Sequence, residues 1–302
     1  MNQTTENISK DNTILLKPKI DVVFHALFRE ENNKLTEALI SDILGEKVKI
    51  TEYLDRHLDI NSADEKLGIM DLKVILEDGS ICNIEIQLKR QKYQNDRFLY
   101  YWADAYSSQL KKGDEYSKLN RTISIIILDH EIAELNNFNE LDVKWQIRDN
   151  KTHTNLLTDK FEIVIIEIPK AKRLYIQNSY DKISQWMLFF DNPNSKEVSH
   201  IMNENNYIKK ATEELKQVSG DYEIRRIAEL REKAIRDEAA ALEYANEEGL
   251  RQGIEQGVKQ GIKQGIVQEK VSIAKNLLNL NVDIDTIIQA TGLSKEQILK
   301  LK

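Results

Sequence analysis

The stretch from Met70 to Arg90, MDLKVILEDGSICNIEIQLKR, restricts the fold of this chain more than any other. On its first arm Met70, Leu72, Val74 and Leu76 fall on one face, with Asp71 and Lys73 on the other. On its second arm Cys82, Ile84, Ile86 and Leu88 alternate with Asn83, Glu85, Gln87 and Lys89. Period-two alternation predicts two half-buried strands, and Asp78-Gly79 between them supplies hairpin turn chemistry. A two-residue loop would set Glu77 opposite Ser80 and turn one apolar row to solvent, because a one-residue slip inverts every side chain. An odd loop such as Asp78-Gly79-Ser80, with positive φ at Gly79 or a neighbour, instead pairs Glu77 with Ile81, Lys73 with Glu85 and Asp71 with Gln87. The polar rows then lie together. Carboxylates, an amide and ammonium groups stand within reach of one divalent cation and a phosphate.

On pattern alone Asp71 and Glu85 also read as solvent-side residues of an antiparallel sheet with one wet face, although Asp and Glu are depleted in strands. An Asp opening one strand and Glu-x-Gln in the next, set among apolar residues, resembles the core of the PD-(D/E)XK nucleases. More narrowly, the chain resembles the Rpn family of recombination-promoting nucleases, also described as transposases. The resemblance is carried, in order, by LLKPKIDVVFHALF from Leu15, the MD and NIEIQ pair, RFLYYWADAYSSQLKKGDEY from Arg97, and EIRRIAELREKAIRDEAAAL from Glu223 ahead of a glycine repeat. It extends over nearly the whole chain from Leu15 onward.

This resemblance implies an α/β fold: a restriction-endonuclease-like PD-(D/E)XK core with a mixed sheet flanked by helices, followed by a helical C-terminal extension. It implies a metal-dependent DNA endonuclease, with DNA as partner and Mg²⁺ or Mn²⁺ as cofactor. The catalytic residues are then expected to be Asp71, Glu85, Gln87 and Lys89. Asp71 and Glu85 would bind the metal with the backbone carbonyl of Ile86, and the metal would activate water and stabilise developing charge. Asp21 matches a first-helix position that can lend a further acid, and it reads equally as a helix N-cap. Gln87 stands where lysine is usual, and an amide supplies neither a cation nor a useful base. Lys89 and Lys73, on the same face, are candidates for that charge. DNA contacts are expected at Lys89, Arg90, Lys92, Arg97 and Gln109. The alternative is a catalytically inactive DNA-binding or oligomeric scaffold protein that retained the fold.

The formal net charge of −7 argues against a nucleic-acid partner, because affinity for DNA comes mainly from cations that neutralise phosphates. Basic residues nonetheless cluster at Lys17 and Lys19, at Lys89 to Arg97, at Lys111, Lys112, Lys118 and Arg121, and at Lys170, Lys172 and Arg173. An ordinary surface of mixed sign is the other reading. With 41% hydrophobic and 31% charged residues the composition is that of a soluble globular protein. No apolar run approaches the ~20 residues that cross a bilayer, and Met1 to Lys10 lacks the apolar core of a secretion signal. The single cysteine, Cys82, excludes an intramolecular disulfide and a cysteine-based zinc site. A cytoplasmic protein without a membrane partner is expected. The histidines share no ligand spacing, and no nucleotide-binding loop or hydrolase nucleophile motif is present.

Along the chain, residues 1–12 are expected to be disordered, 13–193 to form the nuclease-like domain and 194–248 a helical region. A glycine-tetrad helix over 249–268 and a small helical hairpin over 269–302 follow. The core order is helix, three strands, helix, strand. The aromatics of the helix over 95–111 (Phe98, Tyr100, Tyr101, Trp102, Tyr106) either pack in a core or stack on bases. Gly249, Gly253, Gly257, Gly261 and Gly265 each cost a helix about 1 kcal/mol against Ala. Close approach of a second helix would offset this and make the protein a homo-oligomer; a low-complexity linker is the other reading. Residues 271–280 and 283–290 read as short helices, and Ser294 to Gln297 as a capping box before a last turn.

Overall fold

The computed structural model describes residues 14–54, 72–177 and 181–301. The chain divides into two units, Met1–Glu232 and Lys233–Lys302. In chain order the first contains α1 (Asp21–Leu27), α2 (Asn33–Leu44), β1 (Ile50–Tyr53), β2 (Leu72–Leu76), β3 (Ile81–Gln87), α3 (Gln94–Ser107) and β4 (Thr122–Leu128). β5 (Asp142–Trp145), β6 (Phe161–Glu167), α4 (Ile168–Gln177), α5 (Lys182–Asp191), α6 (Lys196–Glu204) and α7 (Asn206–Gly220) follow. α8 (Tyr222–Asn279) begins there and continues into the second unit, which ends with α9 (Ile284–Thr291) and α10 (Lys295–Leu299). The expected order of helix, three strands, helix and strand is present. The expected boundary at residue 193 falls inside the first unit, and the expected disorder of residues 1–12 lies outside the described residues.

Among the described residues the strands form one mixed sheet in the order β1-β2-β3-β4-β6-β5. β3 is central, antiparallel to β2 and parallel to β4. The β-branched run of β4, TISIIIL, is buried along its whole length, as such a run predicts for a strand covered on both faces. Two helical layers enclose the sheet. Phe98 and Trp102 of α3 pack with Ile126 and Leu128 of β4 and with Phe161, Ile163 and Ile165 of β6. The Trp102 indole donates to the Thr122 carbonyl at 2.8 Å. On the other face Lys144 of β5 donates to the Leu44 carbonyl at the end of α2, and Phe24, Phe28, Trp186 and Phe190 of the helices interlock in edge and tilted contacts. Cys82 is fully buried, and burial pushes its thiol up to about 12, which makes it inert.

The hairpin has an odd loop, but one residue earlier than the sequence predicts. Glu77, Asp78 and Gly79 form it, with Leu76 N–H donating to the Ser80 carbonyl and Gly79 N–H to that of Leu76, both at 2.9 Å. Asp78 closes the turn by accepting from Ser80 N–H and Oγ at 2.9 and 2.8 Å. Gly79 takes the positive φ, +83°. Lys73 therefore faces Asn83 rather than Glu85, and Ile81 faces Ile75 rather than Glu77. The shift is by an even number, so Lys73 still shares a face with Asn83, Glu85 and Gln87. Of the two readings of the polar row of β3, the wet face is excluded. Asn83, Glu85 and Gln87 are 8%, 2% and 2% exposed. They lie on the central strand, on the face where α3 packs.

The second unit corrects a further boundary. The separate helix expected over 271–280 is the end of α8, because nothing interrupts the chain between the last tetrad and Asn281. There Asn281 adopts φ 54°, its N–H donates to Leu278 and that of Val282 to Leu277, a Schellman stop. Ala274, Ile287, Leu293 and Ile298 make a small core. The capping box is formed: Ser294 Oγ accepts from Gln297 N–H, and Gln297 Oε1 from Ser294 N–H.

A Cβ on Gly79 would meet the Asn120 side chain only at ordinary contact, 3.4 Å, so the cost of replacing it is the backbone conformation. Gly79→Ala is expected to lower stability by about 1–2 kcal/mol and Gly79→Asn by less, measured by urea denaturation. An Ala variant as stable as the parent would contradict this turn.

Candidate active site

β3 sets Glu85 and Gln87 two residues apart on one face. Gln87 Nε2 donates to Glu85 Oε1 at 2.7 Å, which turns its Oε1 away, and that oxygen is buried without a hydrogen-bond partner. Buried acceptors are rarely left unmet, so the pair is an incomplete polar site. Ile86 points to the opposite face and is half-buried. Lys73 stands across from Asn83 on the Glu85 face. Glu85 is the next β3 position beyond the Leu72–Ile84 pair. Asp71, expected as its partner carboxylate, lies outside the described residues.

The end of β3 is tied to a cluster the sequence did not announce. The Gln87 carbonyl accepts from Asp129 N–H at 2.9 Å, and the Asp129 carboxylate holds Lys19 Nζ with both oxygens at 2.8 Å. Lys19 also donates to Asp191 at 2.8 Å, and Lys172 pairs with the other Asp191 oxygen at 2.9 Å. Burial alone would lower the Lys19 ammonium, but its bonds to Asp129 and Asp191 hold it above the usual lysine range. Burial likewise raises the Asp191 carboxyl, yet Lys19 and Lys172 bring it below its ordinary value. These lysines belong to the basic clusters of the sequence, and here they neutralise aspartates. Arg173 pairs with Glu131, Lys118 with Asp114, and Arg121 with Glu46 and Glu162. Lys170 donates to the Phe138 and Glu140 carbonyls.

Between β3 and α3 lie Lys89, half-buried, and Arg90 and Lys92, exposed. Lys92 Nζ sits 4.9 Å from the centre of the Tyr93 ring. Tyr93 is the N-cap of α3 with φ 57°. Gln94 Oε1 meets His130 Nε2 at 3.1 Å; Gln94 Nε2 and His130 Nδ1 are buried without partners. Burial, then the Arg90 charge, lowers the His130 pKa from its ordinary value. Arg97 lies over Tyr101, 5.4 Å from the ring centre, with its Nε and Nη2 buried and unpartnered. The aromatics of α3 thus divide: Phe98 and Trp102 are core, whereas Tyr100 is 67% exposed.

Two expected residues are placed elsewhere. Gln109 bonds Asn120 and Thr122 through both ends of its amide, at the start of β4, about 20 Å along that strand from Leu128, the partner of Gln87. Asp21 is the first residue of α1 and not its cap, which is Ile20. Its carboxylate accepts from Val22 N–H and pairs with Arg231 at 3.3 Å. Gln94 and His130 were missed because neither has a motif; the scattered histidines offer no signal, and only the packing of α3 brings them together.

The oxygen donors present, the Glu85 carboxylate and the unpartnered Gln87 Oε1, suit a hard cation such as Mg²⁺ or Mn²⁺ better than zinc. Among the described residues no three His, Cys, Asp or Glu side chains gather as metal ligands.

A family model described as PD-(D/E)XK nuclease family transposase matches residues 18–245. No curated protein and no solved structure matches the chain.

Glu85→Gln retains an acceptor for Gln87 Nε2, so its urea midpoint should stay closer to the parent's than that of a variant without one. Glu85→Leu leaves that donor buried and unpaired and should cost about 1–3 kcal/mol. Equal stability of the two variants would contradict the buried Glu85–Gln87 bond.

Proposed function

Because the chain belongs to the PD-(D/E)XK nuclease transposase family, we propose that it is a Mg²⁺- or Mn²⁺-dependent endodeoxyribonuclease centred on Glu85 and Asp71. The observation that carries this reading is the buried Glu85–Gln87 pair on the central strand, with Gln87 Oε1 left as an unmet acceptor. Glu85, Asp71 and the Ile86 carbonyl would hold the cation. When bound, such a cation supplies an activated water and neutralises charge on the phosphodiester. Gln87 fixes one oxygen of Glu85 through Nε2 and uses Oε1 to orient water, since an amide cannot take the proton itself. Lys73 shares the Glu85 face and Lys89 follows β3, so these residues are assigned the cationic role that lysine plays in the commoner motif. Exposed Arg90 and Lys92 are assigned to the DNA backbone, while the paired lysines and arginines elsewhere explain how a chain of net charge −7 can still present a local cationic edge.

A second reading, a DNA-binding scaffold without catalysis, draws on the same bond, because Gln87 already occupies one oxygen of Glu85. Supercoiled plasmid separates them. Wild-type protein with Mg²⁺ or Mn²⁺ should nick it, EDTA should stop the nicking, and Asp71→Ala and Glu85→Gln should each lower the rate at least 100-fold, about 2.7 kcal/mol of activation free energy. Nicking that persists in both variants would remove this site.

For the second unit we propose self-association as a homo-oligomer. The tetrad glycines lie within α8, where a Cβ on any of them would meet nothing within 4 Å, and the apolar residues beside them, Leu250, Ile254, Val258, Ile262 and Ile266, are more than half exposed. A helix cost of about 5 kcal/mol is therefore not offset within one chain. A period of four drifts about 40° per repeat around a helix of 3.6 residues per turn, so a second helix follows this stripe by crossing it rather than running parallel. Among the described residues no helix is long and apolar enough to cross a membrane, and we assign the protein to the cytoplasm. Gly257→Leu with Gly261→Leu should lower the mass in sedimentation while raising helicity. Unchanged mass with raised helicity would favour a linker.

A further inference from the structure

The cleft at the N-terminus of α3 has contents that phosphodiester cleavage does not use. It has a volume of about 300 Å³ and is lined by Arg90, Gln91, Tyr93, Gln94, Asn95 and Asp96, with Ile132 and Glu134 beyond. Four features describe what it would take. Tyr93 is 67% exposed and forced into the left-handed region at φ 57°. Lys92 Nζ sits over its ring. Gln94 is 7% exposed and forms the floor, its Oε1 shared by Gln91 N–H and His130 Nε2. The first backbone N–H groups of this 14-residue helix have no capping side chain, so they are unmet donors.

The cleft is not a simple anion site. Asp96 and Glu134 stand on its rim, and Glu134 accepts from Asn95 Nδ2 at 3.2 Å. Carboxylates so close disfavour a bare phosphate. Donors and acceptors side by side, against an exposed aromatic ring, match instead the edge and face of a nucleobase. The base cannot be one stacked within a duplex, because its face must be free to meet Tyr93. Asp129 N–H bonds the Gln87 carbonyl and the next residue, His130, meets Gln94 Oε1, so the cleft lies beside the end of β3.

We propose that this cleft receives an unpaired nucleobase, stacked on Tyr93 and held at its edge by Asp96 and the uncapped first N–H groups of α3, with Arg90 and Lys92 meeting the flanking phosphates. The proposal rests on the nuclease reading for its DNA partner and adds that the preferred substrate carries an unpaired or extruded base near the cleaved strand.

The test is binding of fluorescein-labelled DNA by fluorescence anisotropy in EDTA, which excludes cleavage. A duplex with a short central bulge should bind roughly 10-fold tighter than the perfectly paired duplex. Tyr93→Ala should remove that advantage and leave perfect-duplex binding unchanged, whereas Tyr93→Phe should keep it, because stacking needs the ring and not the hydroxyl. Tyr93 is exposed, so these variants retain the fold, and circular dichroism checks this. Equal affinity for both DNAs, equal weakening of both by Tyr93→Ala, or no binding to either would overturn the proposal. Parallel nicking assays keep it separate from the nuclease reading. Metal-dependent nicking without bulge preference defeats only the cleft, and bulge-selective binding without nicking supports the cleft and defeats the enzyme.

Discussion

The placement of β3 between an antiparallel neighbour and a parallel one is the constraint on which the rest depends. A strand paired on both sides cannot leave one face to solvent when helices pack on both faces of its sheet. Its polar residues must then be satisfied inside the protein. Asn83, Glu85 and Gln87 accept that cost, and nothing in the hydrophobic pattern requires it. An apolar residue at any of these positions would continue the packing of Ile126 and Ile165 across the same face. The metal-binding role proposed for Glu85 accounts for a carboxylate kept in such a position.

The cluster of Lys19, Asp129, Asp191 and Lys172 supports this strand from its end. Asp129 carries two connections at once: its N–H continues the β3–β4 ladder to Gln87, and its carboxylate anchors the segment before α1 through Lys19. Partly buried charges of this kind contribute little net stability, but removing one partner leaves the others costly. Their effect is to specify geometry. Segments far apart in sequence, before α1, after β4 and at the end of α5, are held at one point beside the candidate site.

The second unit follows different rules. Its small core is local, built from the end of α8 and from α9 and α10, with a Schellman stop and a capping box setting the chain directions. The tetrad region of α8 buries little of its own surface. Its helix is favoured by the absence of breakers and weakened by each glycine, so its stability within one chain is local and small.

Sequence alone determined the strands and their faces. Alternation in 72–76 and 81–87 identifies both arms of the hairpin, Asp78-Gly79 identifies the turn, and the β-branched run of β4 identifies a strand buried on both sides. These signals are local, because a side chain's face depends on parity and turn chemistry on two or three neighbours. The odd loop was legible for that reason, but its exact residues were not, since loops centred one residue apart preserve the same faces and differ only in hydrogen bonds. Tertiary structure alone decided burial and partners. A wet face for the Glu85 row stayed open because the sequence carries no sign that α3 packs on that face. The basic clusters left a DNA surface and an ordinary mixed surface both open because Asp129, Asp191, Glu131 and Glu162 are distant in the chain from the cations they neutralise. The aromatic helix read as one feature, and only packing divided it into Phe98 and Trp102, which fill the core, and Tyr100, which does not. Long-range pairing of charge and the covering of a face are set by which elements meet, and no short window of sequence contains that information.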